Sequence, residues 1–195
     1  MQDTLPLLAF LFPLAYSPGP GNMFFAANGA RFGVRATLPA SLGYHLATWV
    51  VTAACGFGAL TALAQTPRLF LALKLAGTLY VLWLAWRLFT AGRADGTAAQ
   101  AKALRITDGA MLLILNPKAY VIIALMFSQF LSGEGAPEVL RITTIFTLNN
   151  LIAFTVWTLL GDRLARHFRD EAHARALNRG FGVILAIVAL WMLFT

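Results

Sequence analysis

The chain has 195 residues, 59% of them hydrophobic and 12% charged, with a net charge of +7 and a mean hydropathy of +0.71. A soluble domain carries roughly 45 to 50% apolar and about 25% charged residues, so a soluble fold is excluded and an all-α integral membrane protein is predicted. The basic residues are scattered between apolar runs, which argues against a nucleic-acid partner, and the single cysteine, Cys55, allows neither an internal disulfide nor a Cys-rich metal site.

Runs near the roughly 20 apolar residues that cross a bilayer core predict six transmembrane helices, at about 5 to 28, 37 to 60, 69 to 90, 109 to 132, 139 to 160 and 180 to 195. The first is preceded by "MQDT", with Asp3 and no Lys or Arg, and so reads as a span rather than a cleaved signal peptide. "SPGPGN", Ser17 to Asn22, interrupts it at its middle, where two prolines and two glycines are incompatible with a continuous helix. The second span carries His45 and Cys55. After the third, a small, polar linker over about 93–106 joins a first unit, 1–92, to a second, 107–195. The fourth span contains "NPK", Asn116 to Lys118, the fifth contains Asn149 and Asn150, and between the fifth and sixth "GDRLARHFRDEAHARALNR" has mixed charge at helical spacing and reads as a headgroup-level surface helix touching lipid.

Loops on one side of the six spans hold eleven basic residues: Arg31, Arg35, Arg87, Arg93, Lys102, Arg105, Arg163, Arg166, Arg169, Arg175 and Arg179. The positive-inside rule places them in the cytoplasm and both termini outside. A five-span arrangement with a re-entrant first segment stays open and puts the N-terminus inside.

The halves resemble each other. Shifted by 105 residues, "KLAGTLYVLWLAWRLFT" falls on "RGFGVILAIVALWMLFT", aligning Gly77 with Gly182 and Trp86 with Trp191, and also Gly56 with Gly161 and His45 with Asn150. Three spans per copy reverse the second copy in the membrane, an inverted repeat of the kind found in secondary transporters, whose sites lie at the midplane between broken helices. A shift of 99 lays Ser17 and Pro18 on Asn116 and Pro117. Spans 1 and 4 are therefore predicted to break at the midplane, freeing backbone carbonyls that line a polar hole.

Lys118 lies about ten residues, or roughly 15 Å, beyond Asp108, with no acidic residue at comparable depth. A charge there needs a partner or a purpose. Carbonyls freed at "SPGPGN" are one partner; a substrate carboxylate, helped by the helix N-terminus near Asn22, is the other. Ser17, Asn22 and Asn116 suit the polar remainder of a substrate, although Asn at a break is equally a cap. His45 is a candidate proton carrier, as is Lys118; an interhelical hydrogen bond is the plainer reading of His45, and Asn150 joins the candidate site as its counterpart. No P-loop, dinucleotide fingerprint, G-x-S-x-G or H-E-x-x-H occurs, so no cofactor, metal or catalytic set is predicted. A hydrolase using Ser17 with Lys118 or His45 as base, and a passive channel for small polar solutes, are the alternatives.

"SPGPGN", "LKLAGTLYVLWLAWRLF", "NPKAYVIIALMFSQFL" and the closing "GFGVILAIVALWMLF" together resemble the lysine-exporter (LysE) superfamily, in its RhtB-type branch, over nearly the whole chain. The resemblance implies export of amino acids or close derivatives from a bacterial cytoplasm across the inner membrane, driven by the proton gradient. By position, Pro18, Gly19, Pro20, Gly21 and Asn22 match its first motif, and Asn116, Pro117 and Lys118 its second. Family members often carry an acid in the second span where this chain has "GYHL". Without that acid a neutral substrate suits the cavity better than a cationic one, and either His45 has replaced it or the coupling differs. Pairing into a homodimer through exposed small residues is left open.

Overall fold

In the computed structural model, residues 4–59, 67–90, 104–132, 135–167 and 171–194 are described, and among them the chain forms eight α-helices and no strand. Helix α1, Thr4–Tyr16, stops where Pro18 and Gly19 cannot continue it, and α2, Pro20–Phe32, restarts with Pro20 in its first turn and Gly19 extended at φ −157°. Gly33, at φ 80°, occupies a conformation that L side chains rarely adopt and turns the chain into α3, Val34–Ala54. A π turn, Cys55–Ala59, ends α3, and α4 covers Pro67–Phe89.

The second half repeats this order. Helix α5, Ile106–Ile114, is separated from α6, Pro117–Phe130, by a bend of 63°, and Asn116 is extended as the residue before a proline must be. Two long helices follow, α7, Ala136–His167, and α8, Glu171–Phe194. The expected surface helix between the last two spans is not a separate element. Its residues extend the end of α7 and the start of α8, with 168–170 outside the described residues, because helical charge spacing is the same for a surface helix and for the wet end of a spanning one. The linker 93–106 lies outside the described residues except for its last three positions.

By length and apolarity alone, Ala136–Ala165 qualifies as a span among the described residues, and α5 with α6 qualifies as a second if the bent pair is counted together. The breaks shorten α1 and α2, while α3 mixes an apolar face with a polar one. On its outer face Leu42, Leu46 and Val50 are 53%, 56% and 60% exposed, whereas Thr48 and Thr52 are fully buried. That is the inverse of a soluble helix and suits contact with lipid.

Two helix pairs pack backbone to backbone. A Cβ on Gly43 of α3 would collide with the Ile106 carbonyl of α5, and one on Gly109 with the Ala40 carbonyl in return. Gly161 of α7 faces Ala26 of α2, and Gly29 of α2 faces Thr158 of α7, in the same reciprocal way. Small residues let membrane helices gain dispersion contact where no hydrophobic drive exists between them.

Candidate functional site

The break in the first half leaves four successive carbonyls without helical partners, and each finds a donor. Ser17 Oγ donates to Leu14 O (3.1 Å), Asn22 Nδ2 to Ala15 O (2.8 Å), Trp157 Nε1 of α7 to Tyr16 O (3.2 Å) and Lys118 Nζ to Ser17 O (3.2 Å). The expectation of open carbonyls lining a hole is thereby corrected: a dry backbone acceptor is too costly to leave unpaired, so the groups facing the cavity are side chains. At the second break Tyr120 Oη donates to Ile114 O at 2.9 Å, and the Asn116 N–H to Leu113 O at 2.9 Å.

Lys118 ties the two breaks together. Its ammonium also donates to Ser17 Oγ at 2.9 Å. It stands in the first turn of α6, where the helix dipole repels a cation, and its acceptors are the neutral oxygens of Ser17. Gly19 makes the approach fit, since a Cβ there would lie 2.9 Å from Nζ and 3.1 Å from Cδ of the lysine. Ser17 Oγ directs its proton to Leu14 O while accepting from Lys118, so it is held rather than activated as a nucleophile.

Beside this pair lies a cavity of about 20 Å³, walled by Pro20, Asn22, Tyr44, Asn116, Lys118 and Asn150 among others. A water needs roughly 10 to 15 Å³ measured in the same way, so the hole holds about one water and no amino acid in this conformation. Asn116 Oδ1 is buried with no hydrogen-bond partner, and its Nδ2 makes only a long contact, 3.4 Å, with Tyr44 Oη. The floor is aromatic. Phe154 packs at a tilt against Tyr44 at 4.7 Å and Phe25 at 5.2 Å, closing the hole toward the end that carries Arg31.

His45 packs its ring on Phe154 at 5.6 Å, with Nδ1 2.7 Å from Ser41 O. Its Nε2 lies beside the Asn150 backbone, outside hydrogen-bonding geometry. The two positions paired by the 105-residue shift are thus neighbours in space. From there α3 and α7 run antiparallel along a seam. It is pinned by Trp49 Nε1 donating to Thr144 Oγ1 (3.2 Å) and by Gly56 against Val139. The buried hydroxyls of Thr52, Thr143 and Thr147 have no hydrogen-bond partner.

Of the sequence-predicted residues, Ser17, Gly19, Pro20, Gly21, Asn22, Asn116, Lys118 and Asn150 converge, and His45 stands one ring away. Pro18 and Pro117 do not line the cavity: Pro18 is exposed, and Pro117 packs beside Gly77. Their role is to end helices, which an N–H-less ring does wherever it points. Tyr44 and Phe154 were missed. Their only signal was adjacency, Tyr44 next to His45 and Phe154 one helical turn after Asn150. Among the described residues no three His, Cys, Asp or Glu side chains cluster to hold a metal.

The family model for LysE type translocators matches residues 12–195. The chain is 32% identical over 188 residues to an uncharacterized membrane protein of Vibrio cholerae serotype O1, covering 90% of this chain and 88% of that one. It is 28% identical over 186 residues to the homoserine/homoserine lactone efflux protein of Salmonella typhimurium, with coverage of 90% and 88%. It is 25% identical over 178 residues to the cysteine/O-acetylserine efflux protein of Salmonella choleraesuis, with coverage of 91% and 88%. No solved structure matches it.

Proposed function

This chain belongs to the LysE type translocator family, a membrane transporter and not an enzyme, and from that premise we propose that it exports neutral amino acids or close derivatives from the bacterial cytoplasm. The observation that carries the reading is the Lys118 ammonium held on Ser17 between two broken helices, beside the unpartnered Asn116 Oδ1. A substrate carboxylate offers Lys118 a charged acceptor in place of the neutral oxygens it now uses, adding a direct attraction between opposite charges. Asn116 Oδ1 then takes the substrate ammonium. With one cation, only neutral polar side chains beside it and no carboxylate on its walls, the hole favours a zwitterion over a cationic amino acid. The relatives named for efflux of homoserine and of cysteine/O-acetylserine support the same class.

The proposal extends to the cycle. Each half has two short helices around a proline break followed by two long ones, which supports two inverted three-helix repeats, 1–92 and 107–195, in six spans with both termini outside. In that orientation the four glycines of the two reciprocal contacts, Gly29, Gly43, Gly109 and Gly161, lie toward the cytoplasm, while Gly77 meets the Leu115 carbonyl at the second break. Their counterpart Gly56 meets the Phe127 ring and a Val139 methyl instead of backbone. The cytoplasmic gate is therefore shut, and alternating access needs the halves to rock apart there. The proton gradient drives the cycle through Lys118 and His45, and the α3–α7 seam supplies the outer proton path: a buried hydroxyl left unpaired costs about 1 to 3 kcal/mol, which bridging water removes.

Proteoliposomes loaded with homoserine or O-acetylserine test the function. Uphill movement collapsed by an uncoupler is the expected result, and flux indifferent to the gradient would favour a channel. In the double variant Thr52→Val/Thr143→Val, uphill transport falls at least about tenfold while downhill exchange persists. A dry seam gives the opposite pattern, unchanged coupling with raised thermal stability, because removing an unpaired buried hydroxyl is stabilising.

A further inference from the structure

A second cavity, of about 140 Å³, lies between the ends of α2 and α4 and the start of α5, and both Arg31 and Arg87 face it. Each guanidinium lies over an aromatic ring, Arg31 over Phe32 at 4.8 Å and Arg87 over Trp83 at 4.9 Å. Arg31 Nε is buried without a hydrogen-bond partner. Burial first, and then the Arg87 charge, pull the Arg31 pKa below its ordinary value, so two like charges share one space. Arginine does not relieve this by deprotonating. Two weakly hydrated guanidinia aimed into one hollow form a receptor for a planar anion.

The same wall carries one negative group. Asp108 faces the cavity, and its Oδ2 accepts from the Arg105 backbone N–H at 2.8 Å, which fixes the carboxylate while leaving acceptor capacity on Oδ1. A volume near the roughly 150 Å³ that admits benzene suits a ligand of about six to eight non-hydrogen atoms. Arg31 follows Asn22 by nine residues on α2, roughly 13 Å along the helix. Phe24, on the cavity wall, meets Phe25 edge to face at 5.3 Å, and Phe25 belongs to the aromatic floor beneath Lys118. The two cavities thus end on opposite sides of one plug.

We propose that this cavity is a loading site for a small zwitterionic amino acid on the cytoplasmic side, with Arg31 and Arg87 binding its carboxylate and Asp108 its ammonium, before the plug opens to Lys118. It rests on the exporter reading above. The pair of opposite charges separates this ligand from a simple anion, and continuity with the plug favours substrate over a lipid headgroup of similar charge.

The test uses full-length protein in nanodiscs with the central site disabled by Lys118→Met. L-homoserine binding by calorimetry is expected to persist there, to weaken at least tenfold in Arg31→Gln/Arg87→Gln, and to exceed that of phosphoethanolamine at least tenfold. Asp108→Asn, which keeps a helix-capping side chain, weakens homoserine at least fivefold but leaves 4-hydroxybutyrate, which has no ammonium, unchanged. Unaltered homoserine binding in the arginine variant, when it elutes and melts as the parent does, overturns the proposal. So does equal affinity for phosphoethanolamine, which assigns the cavity to lipid. Transport with Lys118 intact is read separately. Arg31→Gln/Arg87→Gln raises the half-saturating homoserine concentration about tenfold at an unchanged maximal rate, whereas a wild type that binds homoserine but never moves it sinks the exporter reading alone.

Discussion

Replacing Lys118 with methionine is expected to lower export at least a hundredfold while the protein inserts, elutes and melts as before. Methionine keeps the length and apolar stem but removes the only charge at the paired breaks. The carboxylate then loses its charged partner in a low-dielectric site, where such a hydrogen bond counts most. Stability is expected to change little, because the lysine is a partly buried cation at the positive end of α6 whose removal relieves both desolvation and the dipole. Ser17 Oγ keeps its bond to Leu14 O, but Ser17 O loses its donor, and that orphaned acceptor offsets part of the relief. Homoserine efflux from proteoliposomes and a thermal melt give the two readouts. Normal transport by this variant would remove the carboxylate clamp. Gly19→Ala is the milder companion: its methyl would sit 2.9 Å from Nζ, displacing the ammonium from Ser17 and lowering transport about tenfold with little change in melting.

Gly43→Val has the largest expected effect on the scaffold. Its Cβ is directed at the Ile106 carbonyl, a backbone atom inside a helix that is itself held against α3 by Gly109 on Ala40. No rotamer change relieves such a clash. The helices must separate along the whole contact, and overpacking that ordinarily costs about 1 to 3 kcal/mol reaches the upper end or beyond. Loss of monodisperse protein after detergent extraction is the expected outcome. Gly180→Val provides the comparison, since a Cβ there meets nothing within 4 Å and the variant is expected to extract normally. A well-behaved Gly43→Val protein would mean that α3 and α5 do not pack as described, and the proposed cytoplasmic gate would go with it.

Both experiments bear on features of different visibility in the sequence. Membrane residence follows from composition, because no arrangement of 59% hydrophobic residues leaves a polar exterior for water. The breaks at Ser17–Gly19 and Asn116–Pro117 follow locally, because a missing N–H and a ring clash act on the preceding turn whatever surrounds it. The match between halves, and the lysine that follows the second break, needed only counting. Hence the residues that converge on the cavity were largely named in advance.

Tertiary packing decided what long-range contact decides. That Lys118 rests on Ser17, that the freed carbonyls are already capped, and that the hole has shrunk to about 20 Å³ depend on how α1, α2, α6 and α7 meet. No local preference encodes that. Tyr44 and Phe154 entered the site, and Pro18 and Pro117 left it, for the same reason. Arg31 and Arg87 counted only as loop charges along the chain; they became a pair because long side chains from two distant helices reach one cavity. The sequence by itself determined that the chain is a membrane protein and where its helices must end, since those follow from solvation and backbone chemistry residue by residue. Which groups then face one another was settled by the tertiary structure, since close packing is a property of two surfaces together.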